Sequence, residues 1–374
     1  MEKKITDEEL KQCMAEGMAT KDIAAKFDMS VRKVNLRKAK LARQGWSPEH
    51  DMKKEVPDGY HVKGTSTLYD ADGVAKLQWV KTNIDHARQF ELMKEMVIAM
   101  AEDLPKPEPV DTPVYTVDES ITVYPLGDPH IGMLSWWRET GQSWDLDIAE
   151  EKMLSVFSRA VGSAVPTKLG LIVNLGDFFH SDNMEGVTAR SGHHLDVDGR
   201  YAKMVRVGVK IIRTMINEAL KKHEQVKVIS ATGNHDDVSS QFLQVLLKNV
   251  YDNEPRVIID DSPVPFHYHR HGKVLIGVHH GHSCKMERLA GVMATDMAKD
   301  WGETEFRYWL TGHIHHDSVK EYAGVKVESF RTLTAKDSYA TWGGYRAGQD
   351  MKVITYHKDH GEIMRVTFNI NTVG

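Results

Sequence analysis

Five short segments of the sequence place Asp, Asn, His and Gly residues directly after apolar, β-branched runs. Such runs are typical of buried strands, and the loop after a strand is where α/β sheets present ligands. Five of these segments in one chain predict a single site built from distant parts of the sequence. The segments are YPLGDPH at 124–130, NLGDFFH at 174–180, ATGNHDD at 231–237, GVHHGHS at 277–283 and TGHIHH at 311–316.

The polar side chains of these segments are carboxylates, an amide and imidazoles, which suit hard to intermediate divalent metals. Seven such side chains are enough for two metals if one carboxylate is shared. Two metals about 3.5–4 Å apart can hold a bridging hydroxide and position a phosphoryl group for in-line attack. We therefore expect two divalent ions, with manganese favoured and iron, zinc or cobalt left open. The predicted ligands are Asp128, His130, Asp177, Asn234, His280, His313 and His315.

Taken in order, the segments match the pattern D-x-H, GD, GNH[DE], a His-Gly step and GHxH. This pattern resembles the calcineurin-like metallophosphoesterase superfamily, over about 114–374. The resemblance implies an α/β (α+β) fold, a four-layer sandwich of two mixed β-sheets flanked by helices, and late strands at about 325–330, 351–357 and 362–369 are expected in the second sheet. It also divides the ligands into two metal sets that share Asp177. The first set is Asp128, His130, Asp177 and His315, and the second is Asp177, Asn234, His280 and His313.

Residues beside the ligands are predicted to take part in the reaction by the same resemblance. His235 would protonate the leaving alkoxide, which leaves poorly unless it gains a proton as the bond breaks. Asp236 would orient the His235 ring, and a purely positional role for His235 is the alternative. His180 and His282 lie one step beyond assigned ligands. They would contact phosphate or support the ligands, or they are loop histidines without a chemical role.

The substrate is predicted from the segment GDFFHSDN at 176–183. Serine/threonine protein phosphatases of the superfamily carry an arginine here, in the pattern GDxVDRG, and this chain does not. GDFFH followed by GNHD more closely resembles the metallophosphoesterase nucleases of double-strand-break repair. The first hypothesis is therefore a DNA nuclease or DNA-end-processing enzyme. The alternatives are a phosphomonoesterase or small-nucleotide phosphodiesterase, and a DNA-binding scaffold with an inactive phosphoesterase fold.

Residues 1–46 predict a small all-α domain with helix-turn-helix spacing. Thr6 and Glu9 form a capping-box pattern, Asp28 tolerates a left-handed turn, and Ser30 precedes a third helix at about 31–44. That helix is basic and contains no acidic residue, so it suits contact with phosphates or the major groove of DNA. A basic face on a protein-binding module is the alternative. The predicted DNA-binding residues are Arg32, Lys33, Arg37 and Lys38.

The rest of the front half separates this domain from the phosphoesterase-like domain at 114–374. Residues 47–103 predict a polar linker, a β-hairpin with Asp72-Gly73 in its turn, and a helix. A Pro-rich linker is predicted at 104–113, because four prolines fall within 103–113 and such stretches are typical of spacers between domains.

Composition limits the class of protein. The 374 residues carry a net charge of −5, so any DNA contact is expected to be a local basic patch. No apolar run of about 18 residues predicts a membrane span. The polar start without an apolar signal core predicts a cytoplasmic protein, in which Cys13 and Cys284 are reduced.

Five large aromatic residues lie in two Gly-containing segments away from the predicted ligands. They could frame a cleft and stack on bases, and ordinary packing is the alternative. These residues are Trp136, Trp137, Tyr339, Trp342 and Tyr345.

Overall fold

A computed structural model describes residues 5–43, 60–69, 75–85, 88, 91, 95, 109–183, 186–188 and 194–372. The chain forms two compact units, Met1–Val97 and Ile98–Gly374. The division falls shortly before the predicted linker at 104–113, of which only 109–113 is described, without helix or strand. The helix predicted within 47–103 lies almost wholly outside the described residues.

The first unit begins with three helices packed around a small apolar core. The predicted capping box is confirmed, because the Thr6 hydroxyl accepts the Glu9 N–H and the Glu9 carboxylate accepts the Thr6 N–H. Asp28 has a φ of 50°, and the Ser30 hydroxyl accepts the Lys33 N–H at 3.2 Å. The helices are α1 (Asp7–Ala15), α2 (Thr20–Lys26) and α3 (Val31–Arg43). The core consists of Ile5, Leu10, Cys13, Ile23, Ala24, Val34 and Leu41.

The predicted β-hairpin follows these helices. Strand β1 (Tyr60–Tyr69) pairs antiparallel with β2 (Ala75–Ile84), and the register runs from Tyr60 opposite Ile84 to Tyr69 opposite Ala75. The strands and their pairing are therefore confirmed. The predicted turn at Asp72-Gly73 lies outside the described residues.

The second unit contains two mixed β-sheets. Its strands are β3 (Val117–Leu126), β4 (Thr167–Asn174), β5 (Gln225–Ser230), β6 (Val257–Ile259), β7 (His267–His271), β8 (Val274–Val278), β9 (Phe306–Thr311), β10 (Ser318–Tyr322), β11 (Val325–Ser329), β12 (Asp350–His357) and β13 (Gly361–Asn369). The six-stranded sheet has the order β13-β12-β3-β4-β5-β6, and the five-stranded sheet has the order β10-β11-β9-β8-β7.

All three late strands were predicted to lie in the second sheet, and only one of them does. Strand β11 pairs parallel with β9, but β12 pairs antiparallel with β3, and β13 pairs with β12. The last two strands therefore extend the first sheet. The physical reason is that β4 pairs with only one edge of β3, and the returning chain pairs with the other edge.

Helices cover the outer faces of both sheets. The helices of the second unit are α4 (Trp137–Thr140), α5 (Leu146–Ser163), α6 (Tyr201–Leu220), α7 (Ser239–Val250), α8 (Met286–Asp296), α9 (Ala298–Glu303) and α10 (Ser338–Trp342). On the six-stranded sheet, the Tyr124 ring lies 5.3 Å from that of Phe157 in α5. On the five-stranded sheet, Leu289 and Met293 of α8 pack in one cluster with Trp309.

The inner faces of the two sheets share one apolar core. Val123 and Leu171 of the first sheet pack in the same buried cluster as Ile276 and Leu310 of the second. Because β3 alternates its side chains, Val123 faces this core while Tyr124 faces the helices. The predicted four-layer sandwich of two mixed sheets is therefore confirmed. Within the described residues, no helix combines the length and apolarity that crossing a membrane requires.

Candidate metal centre

The loops after five strands carry all seven predicted ligands. Strands β3, β4 and β5 run parallel in one sheet, and β8 and β9 run parallel in the other. Carboxyl ends of parallel strands meet at one edge of a sheet, which is where ligands bind. The order is Asp128 after β3, Asp177 after β4, Asn234 after β5, His280 after β8, and His313 and His315 after β9, with His130 two residues beyond Asp128.

The backbone at most of these ligands has a left-handed conformation. Among the described residues, seven non-glycine positions have a positive φ, and five of them are predicted ligands. Such residues cost of order 1–3 kcal/mol each and cluster at functional sites. The fold therefore holds these side chains in a geometry that an isolated loop would avoid. The five are Asp128 (φ 41°), His130 (41°), Asp177 (50°), His313 (71°) and His315 (54°).

A first ligand group consists of Asp128, His130 and His315, whose ligand atoms lie within 4.8 Å of one another. His315 Nε2 is 3.2 Å from His130 Nε2 and 3.3 Å from Asp128 Oδ1. The Asp128 carboxylate is held in place by the backbone N–H of His313, at 2.9 and 3.0 Å from its two oxygens. These are the members of the first predicted metal set other than Asp177.

A second ligand group consists of Asp177, His280 and His313, again within 4.8 Å. His280 Nε2 is 3.2 Å from Asp177 Oδ2 and 3.1 Å from Asn234 Oδ1. Asp177 Oδ2 also lies 3.9 Å from His130 Nε2 in the first group. Asp177 is thus placed between the two groups, where a shared ligand must be.

The arrangement around His280 fits a cation. Its Nδ1 is 2.8 Å from the backbone oxygen of Leu175, so a neutral ring carries its proton on Nδ1 and presents a lone pair at Nε2. That lone pair faces oxygens of Asp177 and Asn234, which are acceptors too. Burial alone would lower the pKa of His280, but the Asp177 and Asp128 carboxylates outweigh it and raise the pKa to about 9. The surroundings therefore favour positive charge at this point.

Two glycines allow the motif backbones to approach the ligands closely. A Cβ at Gly233 would lie 2.0 Å from Asp177 Oδ1, and one at Gly176, whose φ is +97°, would lie 2.6 Å from His280 Nδ1. Atoms cannot come so close without displacement. The glycines of the GD and GNHD segments therefore have a packing role as well as a turn role.

The His235 ring lies beside the first group, with its centroid 4.8 Å from that of His130. Its Nδ1 is 3.0 Å from the backbone oxygen of His180. This hydrogen bond places a proton on Nδ1 and leaves Nε2 as the ring atom that can give or take a proton. The backbone N–H of His235 donates to Asp177 Oδ1 at 2.8 Å, which fixes the ring relative to the shared ligand.

The prediction that Asp236 orients the His235 ring is wrong. Asp236 Oδ2 accepts the backbone N–H groups of Phe178 and Phe179, at 2.8 and 3.3 Å, and Oδ1 accepts that of Gly233 at 3.0 Å. Burial and the negative charge of Asp177 raise the pKa of Asp236 to about 8, while His280 and the backbone N–H donors act to lower it. Asp236 joins the GD loop to the GNHD loop.

His180 contacts a ligand histidine, which corresponds to the supporting role among the predicted alternatives. The side chain is only 1% exposed, and its Nδ1 is 3.1 Å from His130 Nδ1. Burial lowers the pKa of His180 to about 3, so the ring is neutral. His282 is half-buried, and its ring centroid lies 5.2 Å from that of His280. It therefore lies next to the second group.

Two threonines that the sequence did not indicate support the first loop. Thr332 donates to the backbone oxygen of Asp128 at 2.7 Å, and Thr334 donates to that of Pro129 at 2.9 Å. Both hydroxyls are buried. They lie in a segment without a motif, and a neutral hydroxyl gives no charge pattern, so only their spacing after β11 could have drawn attention to them.

In the first unit, the four predicted DNA-binding residues differ in what they contact. Arg32 and Lys33 are exposed on α3. Arg37 donates to the Asp7 carboxylate at 2.6 Å, and Lys38 donates to a hydroxyl at the start of α2 at 3.2 Å. Arg37 and Lys38 thus join the three helices, and the more exposed positive charge of this set lies on Arg32 and Lys33; the assignment of the four residues to DNA stays a prediction.

No protein-family model matches the sequence, and no curated protein matches it. Solved structures with a similar chain path include a dimetal phosphatase from Danio rerio, 8% identical with a TM-score of 0.34, covering 67% of this chain and 99% of that one. A novel archaeal phosphodiesterase is 12% identical with a TM-score of 0.34 over 67% and 99%. A predicted phosphoesterase from Streptococcus pneumoniae is 11% identical with a TM-score of 0.28 over 68% and 99%. The assignment of the site rests on its own geometry.

Proposed function

We propose that the protein is a two-metal phosphodiesterase that acts on DNA as a nuclease or DNA-end-processing enzyme. The observation that carries this proposal is the convergence of seven ligand side chains from five loops into two adjoining groups that share Asp177. The sets are those that the calcineurin-like resemblance implies. We expect manganese as the native metal.

The two metals would be held by the ligand groups described above, with Asn234 completing the second. When bound, such ions polarise a phosphoryl group and supply a nucleophile from water at neutral pH. The only carboxylates within the two groups are Asp128 and Asp177, so two divalent ions leave the site positively charged. A positive, largely buried site attracts a phosphate and stabilises the negative charge that grows in the transition state.

His235 supplies the proton that the leaving oxygen requires. Because the His180 carbonyl oxygen engages Nδ1, proton exchange is confined to Nε2. The backbone hydrogen bond to Asp177 keeps the ring at a fixed place beside the ligands. General acids of this kind typically contribute 10²–10⁴-fold, and the contribution is greatest for alkoxide leaving groups such as those of DNA.

The DNA preference is supported by the first unit. Helix α3 presents Arg32 and Lys33 to solvent, together with the exposed Asn35. Arg and Lys neutralise phosphates, and Arg and Asn are side chains that read guanine and adenine edges in the major groove. A basic helix of this kind would bring the phosphodiesterase to duplex DNA.

The test compares labelled single- and double-stranded DNA with p-nitrophenyl phosphate and its bis-ester, in manganese and in chelator. We expect manganese-dependent cleavage of DNA and of the diester, and Asp177→Asn should abolish both. The matched control is Asp147→Asn on the exposed face of α5, which should retain both. Cleavage of small esters without DNA cleavage would mean a small-molecule phosphatase or phosphodiesterase. Bound metal without any turnover would mean a scaffold protein.

The DNA-binding role of α3 has its own test. Arg32→Ala should weaken duplex binding and reduce its salt dependence. Lys21→Ala removes an equally exposed positive charge from α2 and should change affinity much less. Equal effects of the two substitutions would show that α3 does not contact DNA.

A further inference from the structure

The five large aromatic residues of the two Gly-containing segments are all exposed in the second unit. Their exposed fractions range from 55% to 84%, so the packing alternative does not describe them. Large aromatic side chains usually bury most of their surface, and a group of five left in solvent is a feature of binding surfaces. We call this group the aromatic platform: Trp136, Trp137, Tyr339, Trp342 and Tyr345.

Hydrogen bonds join the two segments into one surface. Ser135 Oγ, just before the first two tryptophans, donates to the backbone oxygen of Lys336 at 2.7 Å. The Trp342 indole N–H of α10 donates to the Glu139 carboxylate of α4 at 2.8 Å. Tyr339 and Trp342 are three residues apart on α10, and such residues share a helix face. The aromatic rings are therefore presented together.

The turn after α10 is shaped to place Tyr345. Its backbone N–H donates to the Ala340 oxygen at 2.9 Å, and its ring centroid lies 6.3 Å from that of Tyr339, with the planes 27° apart. A Cβ at Gly343 would come within 2.7 Å of the Tyr345 ring, so the glycine leaves room for the ring in this position. The rings are ordered by the backbone without being buried by it.

The platform carries two arginines. Arg138 lies over the Trp137 ring at 5.4 Å, and Arg346 donates to the backbone oxygen of Thr341 in α10 at 3.2 Å and to that of Tyr345, just after α10, at 2.8 Å. Within the described chain neither arginine is paired with a carboxylate. The acidic residues of the platform are engaged otherwise: Glu139 accepts the Trp342 N–H, and Asp337 accepts the backbone N–H that starts α10.

The platform is connected to the metal centre through the loops that carry the ligands. Trp136 follows the ligand His130 by six residues, so it lies within about 20 Å along the chain. Thr334, which supports Pro129 at 2.9 Å, begins the segment that leads to α10. A span of at most about 20 Å corresponds to at most about six stacked nucleotides at about 3.4 Å each.

We propose that the aromatic platform binds the unpaired bases of a single-stranded DNA segment whose backbone leads to the metal centre. The inference rests on the proposed function, because it names the form of DNA that reaches the site. Flat rings accept any base by stacking, and the two arginines neutralise flanking phosphates. Duplex DNA, whose bases are stacked inside the helix, has no free faces to offer.

The experiment measures binding of the full chain by fluorescence anisotropy in chelator, so that no turnover is involved. The probes are a labelled oligo(dT) of about 12 nucleotides, an abasic oligonucleotide of the same length and a duplex. We expect oligo(dT) to bind at least about tenfold more tightly than the abasic strand. Tyr339→Ala combined with Trp342→Ala should remove most of that difference and leave duplex affinity unchanged. Trp342→Phe, which keeps an aromatic ring at this position, should retain the preference for oligo(dT). Tyr115→Ala, at an exposed tyrosine outside the platform, is the matched control.

Equal binding of oligo(dT) and the abasic strand would overturn the proposal, because phosphate attraction alone would then explain binding. Unchanged oligo(dT) affinity in the double variant would also overturn it, as would binding only to anionic lipid vesicles, which indicates a membrane-facing surface. The proposed function fails on a different result, namely the absence of DNA cleavage in manganese. If the wild-type protein stacks bases but cleaves no ester, the platform proposal is retained and the nuclease proposal is rejected.

Discussion

Substituting Gly233 by Ala tests whether the position of Asp177 controls the metal centre. The added Cβ would lie 2.0 Å from Asp177 Oδ1 and 2.2 Å from the Asp177 backbone nitrogen. The same Oδ1 accepts the His235 N–H at 2.8 Å. A single methyl group therefore presses on the shared ligand and on the attachment of the proton donor, and its three nearest contacts are all atoms of Asp177.

The expected size of the effect follows from these distances. The contact must open by more than about 1 Å to reach an ordinary carbon–oxygen separation, and the backbone nitrogen cannot rotate away. Forcing a group into a packed site costs about 1–3 kcal/mol of stability. A misplacement of about 1 Å at a catalytic centre can lower turnover about 100-fold. We expect Gly233→Ala to fold with reduced stability, to bind less than two equivalents of metal, and to lose at least that factor in turnover.

The assay loads the protein with manganese, removes excess metal by gel filtration, and measures metal content by mass spectrometry beside hydrolysis of the bis-ester. Gly291→Ala is the matched control, because no heavy atom lies within 4 Å of its added Cβ and the residue is inside α8. That variant should keep full metal content and gain about 0.5–1 kcal/mol in stability. Two equivalents of metal and normal turnover in Gly233→Ala would refute the reasoning that Asp177 is held by this contact.

Three further predictions concern groups elsewhere in the second unit. His235→Gln should lower DNA cleavage by about 10²–10⁴-fold while metal content stays the same; loss of metal would mean that this residue is a ligand. Burial lowers the pKa of His223 to about 4, below the value of about 6.5 in an unfolded chain. The neutral ring therefore contributes to the free energy of unfolding above pH 6.5, and this contribution is lost as pH falls to 4. Urea unfolding should show a loss of about 3 kcal/mol over that range, and His223→Gln should lack this component. Arg365→Met removes the main partner of the Glu328 carboxylate, which is 3% exposed; the free energy of unfolding should fall by about 3 kcal/mol, and an unchanged denaturation midpoint would contradict this.

The metal ligands could be predicted from the sequence because their residue types are tied to the local backbone. Asp and His tolerate a left-handed conformation better than most residues, and five ligands have it. Glycine precedes Asp177 and Asn234 because a side chain there would strike the ligands. The strands before them end in buried runs that are mainly apolar, such as Leu171–Val173 of β4. Each signal is local, so it is visible within a few residues of sequence.

The roles of Asp236 and Arg37 could not be predicted because they depend on which loops meet. Asp236 accepts the backbone N–H groups of Phe178 and Phe179, which lie 58 and 57 positions earlier in the chain. The sequence His-Asp is the same whether the carboxylate binds the histidine ring or a distant backbone, so it could not distinguish the two roles. Arg37 is one of several basic residues on α3, and it differs from Arg32 only in facing Asp7. Helical spacing separates the faces of α3 but does not say which face another helix covers.

Strand order was predictable only in part, for a related reason. The parallel strands that carry the ligands are fixed by their motifs, whereas β12 and β13 carry no motif. Their residue types do not name a sheet, and their place is decided by the edge of β3 that β4 leaves unpaired. That choice has a consequence for the site: the segment from β11 to β12 must cross from one sheet to the other at their shared edge, and it brings Thr332, Thr334 and α10 to the metal loop on the way. Tyr339, Trp342 and Tyr345 of the aromatic platform therefore come from this crossing, and the loop after β3, which carries Asp128 and His130, leads to Trp136 and Trp137.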